Sequence, residues 1–147
     1  MLKVLVVGAG AVGLGLASFL LQSGCHVSLL ARDDTELVKN GLYRVGVFGE
    51  FHSDSFEIFH GPAKDIKFDF VLVCVKSFDT ENTVMELREW LPNSSNIVLC
   101  QNGWGNAEIF SKYFQNVFNA RVITGFIRPQ KNKVDVTVHA QPVHLGS

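Results

Sequence analysis

Apolar residues in this chain fall into two rhythms. Four segments are almost unbroken: Met1 to Val7, His26 to Ala31, Phe68 to Val75 and Asn96 to Cys100. Short continuous apolar runs of this kind are what strands buried on both faces of a parallel sheet require. Between them the period lengthens. Val12, Leu16, Phe19 and Leu20 fall at i, i+4, i+7 and i+8 in a helix expected from Ala11 to Ser23 and ended by Gly24. Asp34 to Gly41 reads as a short helix closed by Asn40-Gly41, and Val84, Leu87 and Leu91 form a core stripe on a helix that Asp79 can cap. A further helix runs from Asn106 to about Phe114, with Glu108 in its first turn where the dipole favours an anion.

This alternation of strand and helix predicts an α/β domain with a Rossmann-like, doubly wound and mostly parallel sheet. Two stretches depart from it. From Leu42 to Gly61 the alternating Tyr43, Val45 and Val47, the Gly49-Glu50 turn and Phe56 to Phe59 suggest short strands and a hairpin. Near the C-terminal end, Phe118 to Ile127 reads as one strand leaving the doubly wound part. Lys131-Asn132-Lys133 is then a polar turn, Val134, Val136 and Val138 alternate with polar partners as a half-exposed antiparallel strand, and His144 to Ser147 closes the last one. The expectation is an antiparallel extension of the sheet at its C-terminal end.

The first strand runs directly into Gly8-Ala9-Gly10-Ala11-Val12-Gly13, a G-x-G-x-x-G sequence that opens the first helix. In a dinucleotide-binding βαβ unit the first glycine permits the tight turn, the second lets the backbone approach a pyrophosphate, and the third lets helix and strand pack closely. Free N–H groups and the positive end of the helix dipole then face the anion. The motif alone is common, and a purely structural turn is the competing reading. What raises it is context: strand before, helix after, and a second apolar strand at the right distance.

The end of that second strand, Arg32-Asp33-Asp34, bears on which dinucleotide is bound. An acidic residue there takes the ribose 2′-OH of NAD, whereas an arginine accommodates the 2′-phosphate of NADP. Arg32 comes first and favours NADP, since a charge-assisted hydrogen bond contributes about 1.5–3 kcal/mol. Asp33 keeps NAD open. In an open parallel sheet the ligand crevice lies outside the carboxyl ends of the strands. Lys76, after the third apolar strand, and Asn102, in the Gln101-Asn102-Gly103-Trp104-Gly105 turn after the fourth, therefore join the same rim as candidate site residues. A good turn dipeptide is the plain alternative for Asn102-Gly103.

At 147 residues the chain suits one domain, and 47% hydrophobic with 18% charged residues is the balance of a globular protein. A net charge of -1 gives no reason to expect nucleic acid or an anionic membrane as partner. Cys25, Cys74 and Cys100 are odd in number and lack C-x-x-C spacing, so they read as reduced, buried thiols of a cytoplasmic protein. The five histidines lack metal-ligand spacing, and no metal is expected. No apolar span suggests a membrane helix or signal peptide. Phe48, Phe51, Phe56, Phe59, Trp104, Phe110, Tyr113 and Phe114 read mainly as core, although part of this set could form a covered surface. Oligomeric state is left open, a homodimer among the options.

With these pieces in order the chain resembles the ketopantoate reductase family, the NADPH-dependent 2-dehydropantoate 2-reductases. The resemblance rests on Gly8 to Gly13, Arg32, Leu72-Val73-Cys74-Val75-Lys76-Ser77, Gln101 to Gly105, and Val134 to His139 running on to His144-Leu145-Gly146. It implies that the glycine loop holds the pyrophosphate, that Arg32 holds the 2′-phosphate, and that Lys76 and Asn102 lie near the nicotinamide and a small 2-keto acid substrate. It also implies that residues 1–147 are the NADP-binding domain. The family's helical substrate domain, with its catalytic lysine, is then expected to be absent from this chain, which alone would be inactive or nearly so. A cofactor domain of another 2-keto acid, opine or sugar-acid dehydrogenase, and a non-catalytic NADP-binding module for redox sensing or partner binding, stay open on sequence alone.

Overall fold

The computed structural model describes residues 1–32, 34–61, 66–76, 79–101, 105–122, 124–139 and 144–146. Its centre is β1 (Lys3–Val7), paired in parallel on one side with β2 (His26–Leu30) and on the other with β6 (Phe70–Val73). Beyond β2 lies β5 (Glu57–Phe59), and beyond β6 lie β7 (Asn96–Leu99) and β8 (Asn116–Arg121), all parallel. An antiparallel strand, β11 (His144–Gly146), edges β8 and gives the order β11-β8-β7-β6-β1-β2-β5.

Period-two alternation divides the core between the two faces of this sheet. Val4 and Val6 point to one layer with Leu14 and Ala17 of α1 (Ala11–Gln22), while Leu5 and Val7 point to the other. There they meet Val84 and Leu87 of α3 (Thr80–Leu87) and Phe110 of α4 (Asn106–Ser111). Both faces are covered, so every position of β1 after Lys3 is buried and its sequence is unbroken. The first helix ends in a Schellman motif: Gly24 takes φ +88°, its N–H donates to Leu21 and that of Cys25 to Leu20. The short α2 (Thr35–Asn40) follows β2.

A second sheet, ordered β4-β3-β10-β9, covers the far side of α1. It is built from β3 (Leu42–Gly46), β4 (Phe51–Ser53), β9 (Thr124–Gln130) and β10 (Lys133–His139). The fully buried Arg44 links the layers, its guanidinium 4.4 Å from the Phe19 ring centroid and its Nη2 donating to Gln22 Oε1 at 2.7 Å. Burial pulls the Arg44 pKa below its ordinary value.

Several expectations need correction. Phe118 to Ile127 is not one strand: β8 stays in the main sheet and β9 belongs to the second, with no glycine or proline at the break to mark it. Only β3 and β4 form the hairpin expected in 42–61, because β5 joins the main sheet in parallel. Antiparallel to β9, β10 is also parallel to β3, which buries Val134 and Val136 completely. Asp79 occupies the N-cap position of α3 without a side-chain capping bond. Leu91 and Phe114 are core residues lying beyond the ends of their helices. All three cysteines are free, but only Cys100 is fully buried, with Cys25 and Cys74 half-buried. Phe110 and Phe114 are core, Phe48 is exposed, and Trp104 lies outside the described residues. Among the described residues no helix is long and apolar enough to cross a membrane.

Candidate functional site

At the carboxyl ends of β1, β2 and β6 the chain turns away from the sheet and leaves a cleft of about 490 Å³. Gly8 makes the turn out of β1 at φ +104°, and its N–H donates to the Leu30 carbonyl at 3.0 Å. That bond holds the loop against the end of β2. A Cβ on Gly13 would overlap the Gly8 carbonyl oxygen, so the helix approaches the strand as closely as only glycine allows. Gly10 is the reverse case: a Cβ there meets nothing within 4 Å. The second glycine thus borders open space at the N-cap of α1, whose first turn holds no acidic side chain to compete for an anion.

The cleft gathers Gly8, Ala9, Gly10, Arg32 and Lys76, five of the nine candidate residues. Arg32 is exposed just beyond β2 and Lys76 is exposed just beyond β6. Ala11, Val12 and Gly13 do not line it. Val12 instead packs against Val98, Cys100 and Ala120 in the core, and Gly13 faces the turn. Asn102 and Asp33 lie outside the described residues.

The rim around Lys76 is braced by a polar network that sequence pattern did not single out. Gln101 Nε2 donates to the Val75 carbonyl at 2.9 Å and to Thr80 Oγ1 at 3.0 Å, and Thr80 donates to Asn106 Oδ1 at 3.0 Å. These bonds tie the exits of β6 and β7 to the starts of α3 and α4. The Asp79 N–H donates to the Lys76 carbonyl at 2.9 Å.

Five hydrophilic lining residues were missed: His60, Asp79, Thr83, Glu86 and Arg128. His60 follows β5, a strand whose place in the main sheet has no local signal; its Nε2 lies 2.8 Å from Asp34 Oδ2. Arg128 arrives from β9 and donates from Nη1 to the Ala9 carbonyl. Cys74 forms part of the wall, and its hydrogen bond with the Cys100 side chain, followed by burial, pushes its thiol pKa well up. It stays a neutral thiol at physiological pH. A larger cleft, about 570 Å³, lies on the second sheet and is lined by Glu36, Tyr43, Glu50 and Lys133 among others. It touches neither the glycine loop nor the ends of the parallel strands.

A glycine turn between a central parallel strand and a helix N-terminus, opening on a cleft at the strands' carboxyl ends, defines a Rossmann-like α/β domain. Within that class the chain belongs to the ketopantoate reductase PanE/ApbA family, whose model matches residues 4–147. It is 28% identical to the 2-dehydropantoate 2-reductase of Aquifex aeolicus (strain VF5), over 99% of this chain and 46% of that one. Among solved structures, the 2-dehydropantoate 2-reductase of Geobacter metallireducens GS-15 superposes with a TM-score of 0.88 at 28% identity, covering 99% of this chain and 49% of that one. The PanE/ApbA family ketopantoate reductase of Ralstonia eutropha JMP134 gives 0.82 at 27%, covering 91% and 46%. A D-mandelate dehydrogenase solved with NADH and anilino(oxo)acetate shares the fold at 0.81 and 18%, covering 91% and 45%. The chain spans about half the length of the relatives it matches.

Proposed function

We propose that this chain is the NADPH-binding half of a cytoplasmic 2-dehydropantoate 2-reductase, which reduces ketopantoate to pantoate for pantothenate synthesis. The observation that carries the reading is the convergence of Gly8, Gly10, Arg32 and Lys76 on one cleft at the strands' carboxyl ends. The glycine loop fits a dinucleotide: Gly13 is sterically required, and Gly10 leaves open the space a pyrophosphate would approach. Family membership and the reductase names of its relatives support the substrate class, and free thiols support a reducing compartment.

In this reading the loop N–H groups and the α1 dipole hold the pyrophosphate, and Arg32, exposed on the cleft at the end of β2, holds the 2′-phosphate. When bound, NADPH supplies the hydride delivered to the keto carbonyl. Lys76 and Asn102 orient the nicotinamide end and the keto acid, while the Gln101–Thr80–Asn106 network fixes the rim that presents Lys76. The domain described by 1–147 is then the cofactor half, with substrate closure left to a second, helical domain.

Titrating the purified chain with NADPH and NADH at fixed salt, and repeating both with Arg32→Ala, tests this. NADPH is expected to bind more tightly, and the mutant to lose about tenfold in NADPH affinity with little change for NADH. Equal affinity for both nucleotides in the unsubstituted chain would remove the NADPH assignment, and binding of neither would remove the nucleotide site.

A further inference from the structure

Arg128 belongs to the second sheet but reaches the glycine loop of the first. It sits on β9, and its guanidinium crosses to donate to the carbonyl of Ala9, between the first two glycines of the loop. That is the part of the motif where the backbone approaches a pyrophosphate. A guanidinium carries five N–H donors in a fixed fork and no acceptor, so one bond to a neutral carbonyl leaves most of its donors and all of its charge uncommitted. Arg128 is exposed and has no carboxylate partner among the described residues.

The surroundings make that charge consequential. Two carboxylates, Asp79 and Glu86, also line the cleft and oppose an anion entering it. Arg32 and Lys76 offset them at the ends of β2 and β6, whereas at the glycine loop itself Arg128 is, among the described residues, the cation that lines the wall. We propose that Arg128 is a binding residue for the pyrophosphate of the dinucleotide, fixing the loop through Ala9 with one N–H and presenting its remaining donors to the phosphate oxygens. The inference rests on the nucleotide reading of the cleft and adds a charge to it that the glycine motif does not contain.

The two arginines can be separated because the pyrophosphate is common to both dinucleotides and the 2′-phosphate is not. NADH, NADPH and 2′-AMP are titrated against the unsubstituted chain, Arg128→Ala, Arg128→Gln and Arg128→Lys, with melting curves recorded alongside. Arg128→Ala should weaken NADH and NADPH by the same factor, about tenfold, and leave 2′-AMP unchanged. Arg128→Lys should retain part of the affinity, and the dependence of binding on salt should flatten in Arg128→Ala. Arg128→Gln keeps an N–H donor but carries no charge; full binding by that variant would show that the charge is not needed and overturn the proposal. Loss confined to NADPH would also overturn it, by placing Arg128 at the 2′-phosphate. If the unsubstituted chain binds both dinucleotides and Arg128→Ala binds them equally well, only the role of Arg128 falls. If the unsubstituted chain binds neither, the nucleotide reading falls with it.

Discussion

Gly10 and Gly13 are three residues apart in one motif, and alanine separates what each is for. At Gly13 an added Cβ runs into the Gly8 carbonyl oxygen, a backbone atom that cannot rotate out of the way. Gly13→Ala should therefore cost about 1–3 kcal/mol of folding stability, the usual range for overpacking a tight site. At Gly10 the backbone has φ -80° and ψ -169°, a conformation any residue adopts, and the added methyl meets nothing. Gly10→Ala should leave stability within about 0.5 kcal/mol of the parent, as at an unconstrained surface position, while weakening dinucleotide binding. Denaturant unfolding and nucleotide titration on the two variants check both halves. If Gly10→Ala bound nucleotide normally, the open space beside it would not be the pyrophosphate's.

Between the two sheets lies α1, the element that both share. Gly15 looks from sequence like an unfavourable helix residue, about 1 kcal/mol worse than alanine. The structure shows why it is tolerated: a Cβ there would press into the ring of Phe126 on β9. Gly15→Ala should consequently destabilise, by about 1–3 kcal/mol, where propensity alone predicts a gain. In the background of Phe126→Ala that penalty should largely vanish, a coupling that a double-mutant cycle of unfolding free energies measures. Additive effects would show that α1 does not lean on β9 at this point. The approach of Phe126 to Gly15 was not legible in the sequence. The buried parallel strands and α1 each carry their own period, and the glycine loop is contiguous, so these could be read locally, as could the rim positions of Arg32 and Lys76. The second sheet could not be read this way. Its strands are chosen by partners far along the chain, β10 beside β3 for example, and the exit from β8 into β9 has no breaking residue. Arg128 and His60 were missed for the same reason, since nothing next to either residue announces a glycine loop or the edge of β2.

At the scale of the molecule, the site is an open cleft at the carboxyl ends of the strands. The glycine loop, Arg32, Lys76 and Arg128 surround an open cleft in which Arg32, Lys76 and Arg128 are all exposed to solvent. Reducing a keto acid asks for more: a positioned acid to protonate the forming alkoxide, and exclusion of water while the hydride moves. The chain matches about half the length of its reductase relatives, 46% and 49% in the two at 28% identity. If the remaining length supplies the acid and the cover, the 147 residues should bind NADPH yet turn over ketopantoate slowly. Loss of a general acid alone costs about 10²- to 10⁴-fold. The expected outcome is a measurable NADPH affinity together with steady-state NADPH oxidation at least that far below a full-length 2-dehydropantoate 2-reductase assayed alongside. Adding a separately produced remaining part of such a relative should then raise the rate and leave the ratio of NADPH to NADH affinity unchanged, if the nucleotide is held by residues 1–147. A specific activity equal to the full-length enzyme would mean that a proton donor already stands on this cleft. Lys76, the exposed amine at the end of β6, would then be the first residue to substitute.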